Sequence, residues 1–173
     1  MRSTPNPVLF VLIGCLGGGG CVSADGGEQL TESQELRADR EDVAFDPVEG
    51  ASSFVSGITD RRRLVIDEPE EWSDFWAELS ANVAPTPDPP SLDFGSQVVI
   101  AATMGQRPTG GYFIRIEGVS RAGAELRVVV VETSPAADCL TTQAFTAPST
   151  AVTVPRPVGE VDFVEEAETR DCS

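Results

Sequence analysis

Apolar and polar positions along the chain change rhythm several times, and each change marks an element. Within "EPEEWSDFWAELSANV", Trp72, Phe75, Trp76 and Leu79 recur at helical spacing. Pro69 suits a first helical turn, and Glu70 and Glu71 stand where the helix dipole favours negative charge. This stripe predicts one amphipathic helix with its aromatic face in the core, where each such side chain contributes about 1.5 to 3 kcal/mol when fully buried. "PTPDPP", from Pro85 to Pro90, cannot continue a helix and reads as an extended connector.

Elsewhere the rhythm is that of strands. "SSFVSGI" and "RRLVID" flank a turn around Thr59-Asp60, and the cluster Arg61-Arg62-Arg63 reads as a solvated turn leading into the second run. "SQVVIAATM" is almost continuously apolar and predicts a buried strand. "GYFIRIEGV" and "AELRVVVVE" alternate well enough for a hairpin around Arg121-Ala122-Gly123. Tyr112, Ile114 and Ile116 share one face of the first, and Leu126, Val128 and Val130 share one face of the second. "LTTQAFTAP", "TAVTVP" and "EVDFVEE" add two or three short strands. The expected fold is mainly β: an antiparallel curved sheet or small β-sandwich, roughly seven to eight strands, with one amphipathic α-helix packed against it.

Between two of the expected central strands lies "GQRPTGGYFIRI". As structure, it is a hairpin connection in which Pro108 fixes its own φ, Gly110 and Gly111 supply backbone angles other residues avoid, and Tyr112 begins the next strand. As function, it is a recognition loop on a rigid sheet. Its candidate residues are Gly105, Pro108, Thr109, Gly110, Gly111 and Tyr112.

Before the folded part, "MRSTPNPVLFVLIGC" gives a basic start at Arg2 and an apolar run from Val8 to Ile13 that is shorter than the roughly 20 residues needed to span a bilayer. Leu12-Ile13-Gly14-Cys15 has the form of a bacterial lipoprotein signal. Residues 1–14 are therefore expected to be removed and Cys15 to carry lipid, each buried methylene contributing about 0.8 kcal/mol to membrane attachment. A secretory signal cut later, with Cys21 as acceptor, is the alternative. Residues 15–50 are rich in Asp, Glu, Gly and Ser and read as a flexible acidic tether, leaving one domain at 51–173. The expected location is the bacterial cell envelope, held by lipid to a membrane on its periplasmic or outer side. Export also makes Cys139 and Cys172 a natural disulfide pair, each preceded by an aspartate and neither near a second metal-type ligand.

Net charge is −16, and all 12 cationic side chains are arginines. Such a surface offers no attraction to nucleic acid. The chain has no histidine, which removes serine-histidine and cysteine-histidine catalysis and the commonest zinc ligand. Glu70-Glu71 and Glu165-Glu166 read as solvated charges, because adjacent side chains point in different directions. Asp93-Phe94-Gly95 matches a kinase tripeptide in letters alone. No catalytic residue, metal site or cofactor is expected.

Several of these segments together carry a family resemblance. Trp72 to Trp76, Asp93-Phe94, "VVIAATMGQRPTGGYFIRI", "LRVVVVETSP", Cys139, "TQAFTAP" and "VTVPR" resemble the PrcB C-terminal domain family, named after a subunit of a bacterial surface protease complex. The resemblance spans about Ser53 to Cys172. It implies a non-catalytic accessory or stabilising factor for a secreted or surface protease, with Gly105 and Pro108 to Tyr112 as the most specific piece. "RPTGGY" is also similar to the "NPTTGY" loop of chagasin-type cysteine-protease inhibitors, which insert loops of one sandwich into a papain-type cleft, and Arg156-Pro157 echoes another of their loops. The asparagine and the tryptophan those inhibitors use are missing. A scaffold or interaction lipoprotein with no protease connection fits the residues as well.

Overall fold

A computed structural model describes residues 40–172. Cys15, Cys21, the expected signal at 1–14 and most of the expected tether at 15–50 lie outside the described residues. Eight strands and one helix follow in order: β1 (Glu41–Asp42), β2 (Asp46–Pro47), β3 (Arg61–Ile66), α1 (Pro69–Leu79), β4 (Gln97–Met104), β5 (Phe113–Ala122), β6 (Glu125–Pro135), β7 (Ser149–Pro155) and β8 (Val161–Arg170). They form two four-stranded sheets. One has the order β1-β5-β6-β8 and the other β2-β7-β4-β3.

Two cores explain the sequence pattern. Between the sheets lie Val98, Ile100 and Ala102 of β4, Ile114, Ile116 and Val119 of β5, Leu126, Val128 and Val130 of β6, and Val152 and Val154 of β7. On the outer face of the second sheet, Trp72, Phe75, Trp76 and Leu79 of α1 pack over Ile66, Val99, Ala101 and Ala151. β4 is thus covered on both faces, which is why its sequence is continuously apolar rather than alternating. A bulge between Ile116 and Gly118 shifts the alternation by one, so that Val119 points inward like Ile114 and Ile116. The two indoles donate to carbonyls of the proline-rich connector, Trp72 Nε1 to Pro90 at 3.1 Å and Trp76 Nε1 to Pro87 at 2.8 Å. Buried Trp N–H groups need such partners.

The mainly β class, the helix and the β5-β6 hairpin are as expected. Three details differ. The sheets take in residues from Glu41, ahead of Ala51. Glu41 and Asp42 pair with Arg121 and Ser120 of β5, and the nearby Val43, Phe45 and Val48 pack on the cores, so an acidic stretch is held by its few apolar residues. β8 pairs with β6 in parallel along its whole length. Within "LTTQAFTAP" only isolated bridges form, Arg107 to Thr146 and Val55 to Ala147.

Candidate functional site

The loop from Gly105 to Tyr112 does not close a hairpin. β4 and β5 belong to different sheets, so the loop crosses from one sheet to the other at one end of the sandwich. Its route demands glycine at two positions: Gly105 has φ +72° and Gly111 has φ +89°, where other residues are strained. Gly110 has no positive φ, but a Cβ there would overlap the hydroxyl of Thr142.

A second segment, 141–147, stiffens this loop. Arg107 N donates to Thr146 O at 2.7 Å and Thr146 N returns to Arg107 O at 3.0 Å. Gly110 N donates to Thr142 O at 3.0 Å, and the Thr146 hydroxyl donates to Thr109 O at 2.8 Å. Tyr112 packs partly buried against the inter-sheet core, with the Arg107 guanidinium 5.6 Å from its ring centre. Pro108 is exposed. The candidate residues therefore divide: Pro108 is presented to solvent, Tyr112 supports the fold, and the glycines shape the path.

Apolar side chains surround the loop. On one side, Gly111, Phe113, Pro135, Leu140, Thr141 and Arg170 line a cleft of about 510 Å³. On the other, Val55, Thr59, Asn82, Gln106 and Phe145 line one of about 380 Å³. Leu140 is fully exposed, Phe145 is 72% exposed and Phe54 is 54% exposed, unusual positions for large apolar groups on an acidic domain. Cys139 and Cys172 form the expected disulfide, which ties the end of β8 to the segment after β6 and so closes the rim of the first cleft.

An ion-pair network anchors the base of this end, and it was not expected from the sequence. Arg61-Arg62-Arg63 is no solvated turn: all three residues lie in β3, where alternation sends Arg62 toward α1 and Arg61 and Arg63 toward the first sheet. Arg62 pairs with Glu78 of the helix through two hydrogen bonds of 2.7 and 2.8 Å, which hold the Glu78 carboxyl below its usual range. Arg63, with its side chain 11% exposed, reaches Glu132 at 2.6 Å and Glu165 at 2.8 Å. Arg61 reaches the same two carboxylates, and Arg107 of the loop lies 3.5 Å from Glu132. Burial acts to raise the Glu132 carboxyl, but the hydrogen bonds from Arg61 and Arg63 outweigh it and hold it below its usual range. Glu165, read from the sequence as a solvated charge, is instead committed to these arginines. A signal was present: Glu132 continues the inward face set by Leu126, Val128 and Val130.

The remaining sequence candidates are structural. The Asp93 carboxylate accepts from Gly95 N at 3.0 Å and from the Ser96 hydroxyl at 2.7 Å, making a tight turn into β4. Among the described residues, no group of three or more His, Cys, Asp or Glu is placed to hold a metal ion. No helix among them is long and apolar enough to cross a membrane. Arg156-Pro157 follows β7 at the opposite end of the sandwich, where Arg156 donates to the carbonyls of Phe94 and Asp67. The two chagasin-like motifs thus stand a strand length apart, about 25 Å, and cannot enter one cleft together.

Two packed sheets, a helix on one outer face and a stiffened loop at one end define a β-sandwich domain. Residues 98–155 match the family model described as PrcB C-terminal. The match runs from β4 to the end of β7 and contains the whole of the loop, so the family resemblance read from the motifs holds over this segment. α1, which the motifs took in, and β8, which the span to Cys172 took in, lie outside it. No curated protein and no solved structure matches the chain.

Proposed function

We propose that the chain is an exported bacterial lipoprotein whose domain acts by binding, as an accessory or stabilising subunit of a secreted protease. One observation carries this reading. Residue 40 enters the domain beside the β5-β6 hairpin, where Arg40 pairs with Glu125, whereas the Gly105 to Tyr112 loop lies at the other end of β5. Ten residues of strand separate the two ends, about 30 Å. A chain anchored through Cys15 and a tether ahead of Arg40 is attached at the end of the domain opposite this loop, which leaves the loop, with its exposed Leu140 and Phe145, open to a partner. The family match over 98–155 supports a protease-complex partner. The charge supports a protein partner over nucleic acid.

The test is affinity capture by the full chain from envelope extract of the source organism, compared with a Leu140→Ser, Phe145→Ser variant. These two side chains are exposed, so the variant keeps the fold, which replacement of Gly110 or Tyr112 does not guarantee. A protease retained by the native chain and lost by the variant is the expected result. A protease retained equally by both removes the loop end as the contact, and a native chain that retains none removes the accessory reading. Fractionation of the same cells checks the anchor: Cys15→Ser is expected to release the chain from the membrane and Cys21→Ser to leave it there.

A further inference from the structure

The two edges of the first sheet are finished differently. β8 carries Asp162, Glu165, Glu166 and Glu168 against the single cation Arg170, and such an excess of charge along an edge strand discourages a further strand from pairing. β5 has no such excess of charge, and its one irregularity is the bulge at Glu117, which ends its open stretch. β1 covers it only at Ser120 and Arg121, with Val43 N donating to Val119 O at 2.8 Å. From Phe113 to Glu117, no backbone hydrogen bond is made on the side away from β6 among the described residues. The second sheet is closed on the same side of the molecule: β2 covers Val152 and Thr153 of β7, and bridges from Ser53 and Val55 cover Ser149 and Ala147.

Up to the bulge at Glu117, nothing in the open stretch repels a strand. It contains no proline, and its two charges are balanced, Arg115 pairing with both Glu117 and Glu168. It begins at the loop end of the sandwich. There the Phe54 ring rests edge-on against Phe113, with centroids 5.2 Å apart, while remaining more than half exposed beside Val55.

We propose that the outer edge of β5, from Phe113 to Glu117, receives an extended segment of a partner polypeptide as an added strand, continuing the line of β1. The occupant follows from the unpaired backbone: a proline-free segment whose amides alternate with those of β5. Its side chains alternate as well. Those on the outer face lie beside Phe54 and Phe113 at one end and beside Arg115 and Glu117 at the other. This stands on the strand edge itself and holds whether or not the partner is a protease.

The probe is a library of random twelve-residue peptides displayed on phage and selected against the full chain. Amide exchange of the protein is then followed by NMR with a selected peptide. Expected binders lack proline and carry an apolar residue at the position that meets Phe54 and Phe113. They slow exchange within Phe113 to Glu117 by about tenfold or more while leaving the already paired β4 unchanged. N-methylation of the peptide amides that face β5 weakens binding by about tenfold, whereas N-methylation of the intervening amides does not. The proposal is overturned if no binder is recovered, if binders protect Leu140 to Phe145 and not β5, or if N-methylation makes no difference by position. It is also overturned if these amides are protected in the free chain in proportion to its concentration, since a second copy then fills the edge. Protease capture that succeeds while β5 stays unprotected leaves the accessory function standing and removes this inference alone.

Discussion

Replacing Glu132 by glutamine tests whether the network under the loop holds the two sheets together. The carboxylate, 15% exposed, accepts from Arg61 Nε at 2.8 Å and from Arg63 Nη2 at 2.6 Å. Glutamine keeps the shape, removes the charge and turns an N–H donor toward one of the guanidiniums. Arg63 keeps Glu165, so the loss is smaller than the roughly 3 to 5 kcal/mol for a fully buried pair broken on one side. One charged hydrogen bond weakened and one lost sets the expectation at about 2 kcal/mol near neutral pH. The sign with pH follows from the depressed folded value of Glu132. Its contribution is present above the ordinary carboxylate value, about 4.3, and disappears as pH falls through the lower folded value. Glutamine does not titrate, so the gap between the two proteins must close in acid. Trp72 and Trp76, both buried, report unfolding by fluorescence. Urea titrations at a series of pH values give the gap directly. A gap under about 0.5 kcal/mol near pH 7, the size of an exposed ion pair, refutes the reasoning, as does a gap that does not change with pH.

Two further substitutions probe the same end of the domain. Cys139→Ser with Cys172→Ser opens a loop spanning a sequence separation of 33, and chain entropy predicts a loss of about 3 to 4 kcal/mol in urea titrations. An unchanged midpoint shows that the sheet holds the end of β8 without the bond. Gly57→Ala builds a Cβ that overlaps the Glu78 carbonyl and lies 2.8 Å from the Ala81 Cβ, against the C-terminal turn of α1. Overpacking of about 1 to 3 kcal/mol is expected, together with faster exchange of the Gly57 amide, which donates to Leu79 O at 3.0 Å. A neutral result means that the helix end shifts freely.

The parts legible in the sequence were those that a local period encodes. Trp72, Phe75, Trp76 and Leu79 announce the helix, and "VVIAATM" announces a strand covered on both faces. What stayed hidden depends on which strand lies over which. Arg61 and Arg63 look like a solvated turn until the open side of the sandwich places Glu132 and Glu165 opposite them. The crossing of the Gly105 to Tyr112 loop was hidden for the same reason. A proline, two glycines and a strand on either side describe a hairpin as well as a crossover, and only the assignment of β4 and β5 to different sheets decides it. The parallel pairing of β8 gives no local signal, because an antiparallel partner would show the same alternation.

That crossover shapes the exposed end. A hairpin needs only a tight turn, and its residues satisfy one another. A chain that steps between sheets leaves backbone groups along its path that something else must meet. Here Thr142, Thr146 and Thr59 meet them, which draws the segment carrying Leu140 and Phe145 to the surface beside the loop. The disulfide fixes the far side of that segment to β8, and Arg107 ties the loop to Glu132 and so to both sheets. The apolar rim is therefore held by bonds on three sides, and little conformational entropy remains to be lost when a partner covers it. Surface of this kind, apolar, pre-formed and set at the end farthest from the N-terminal entry, is better suited to holding another polypeptide than to holding a small molecule in two open clefts.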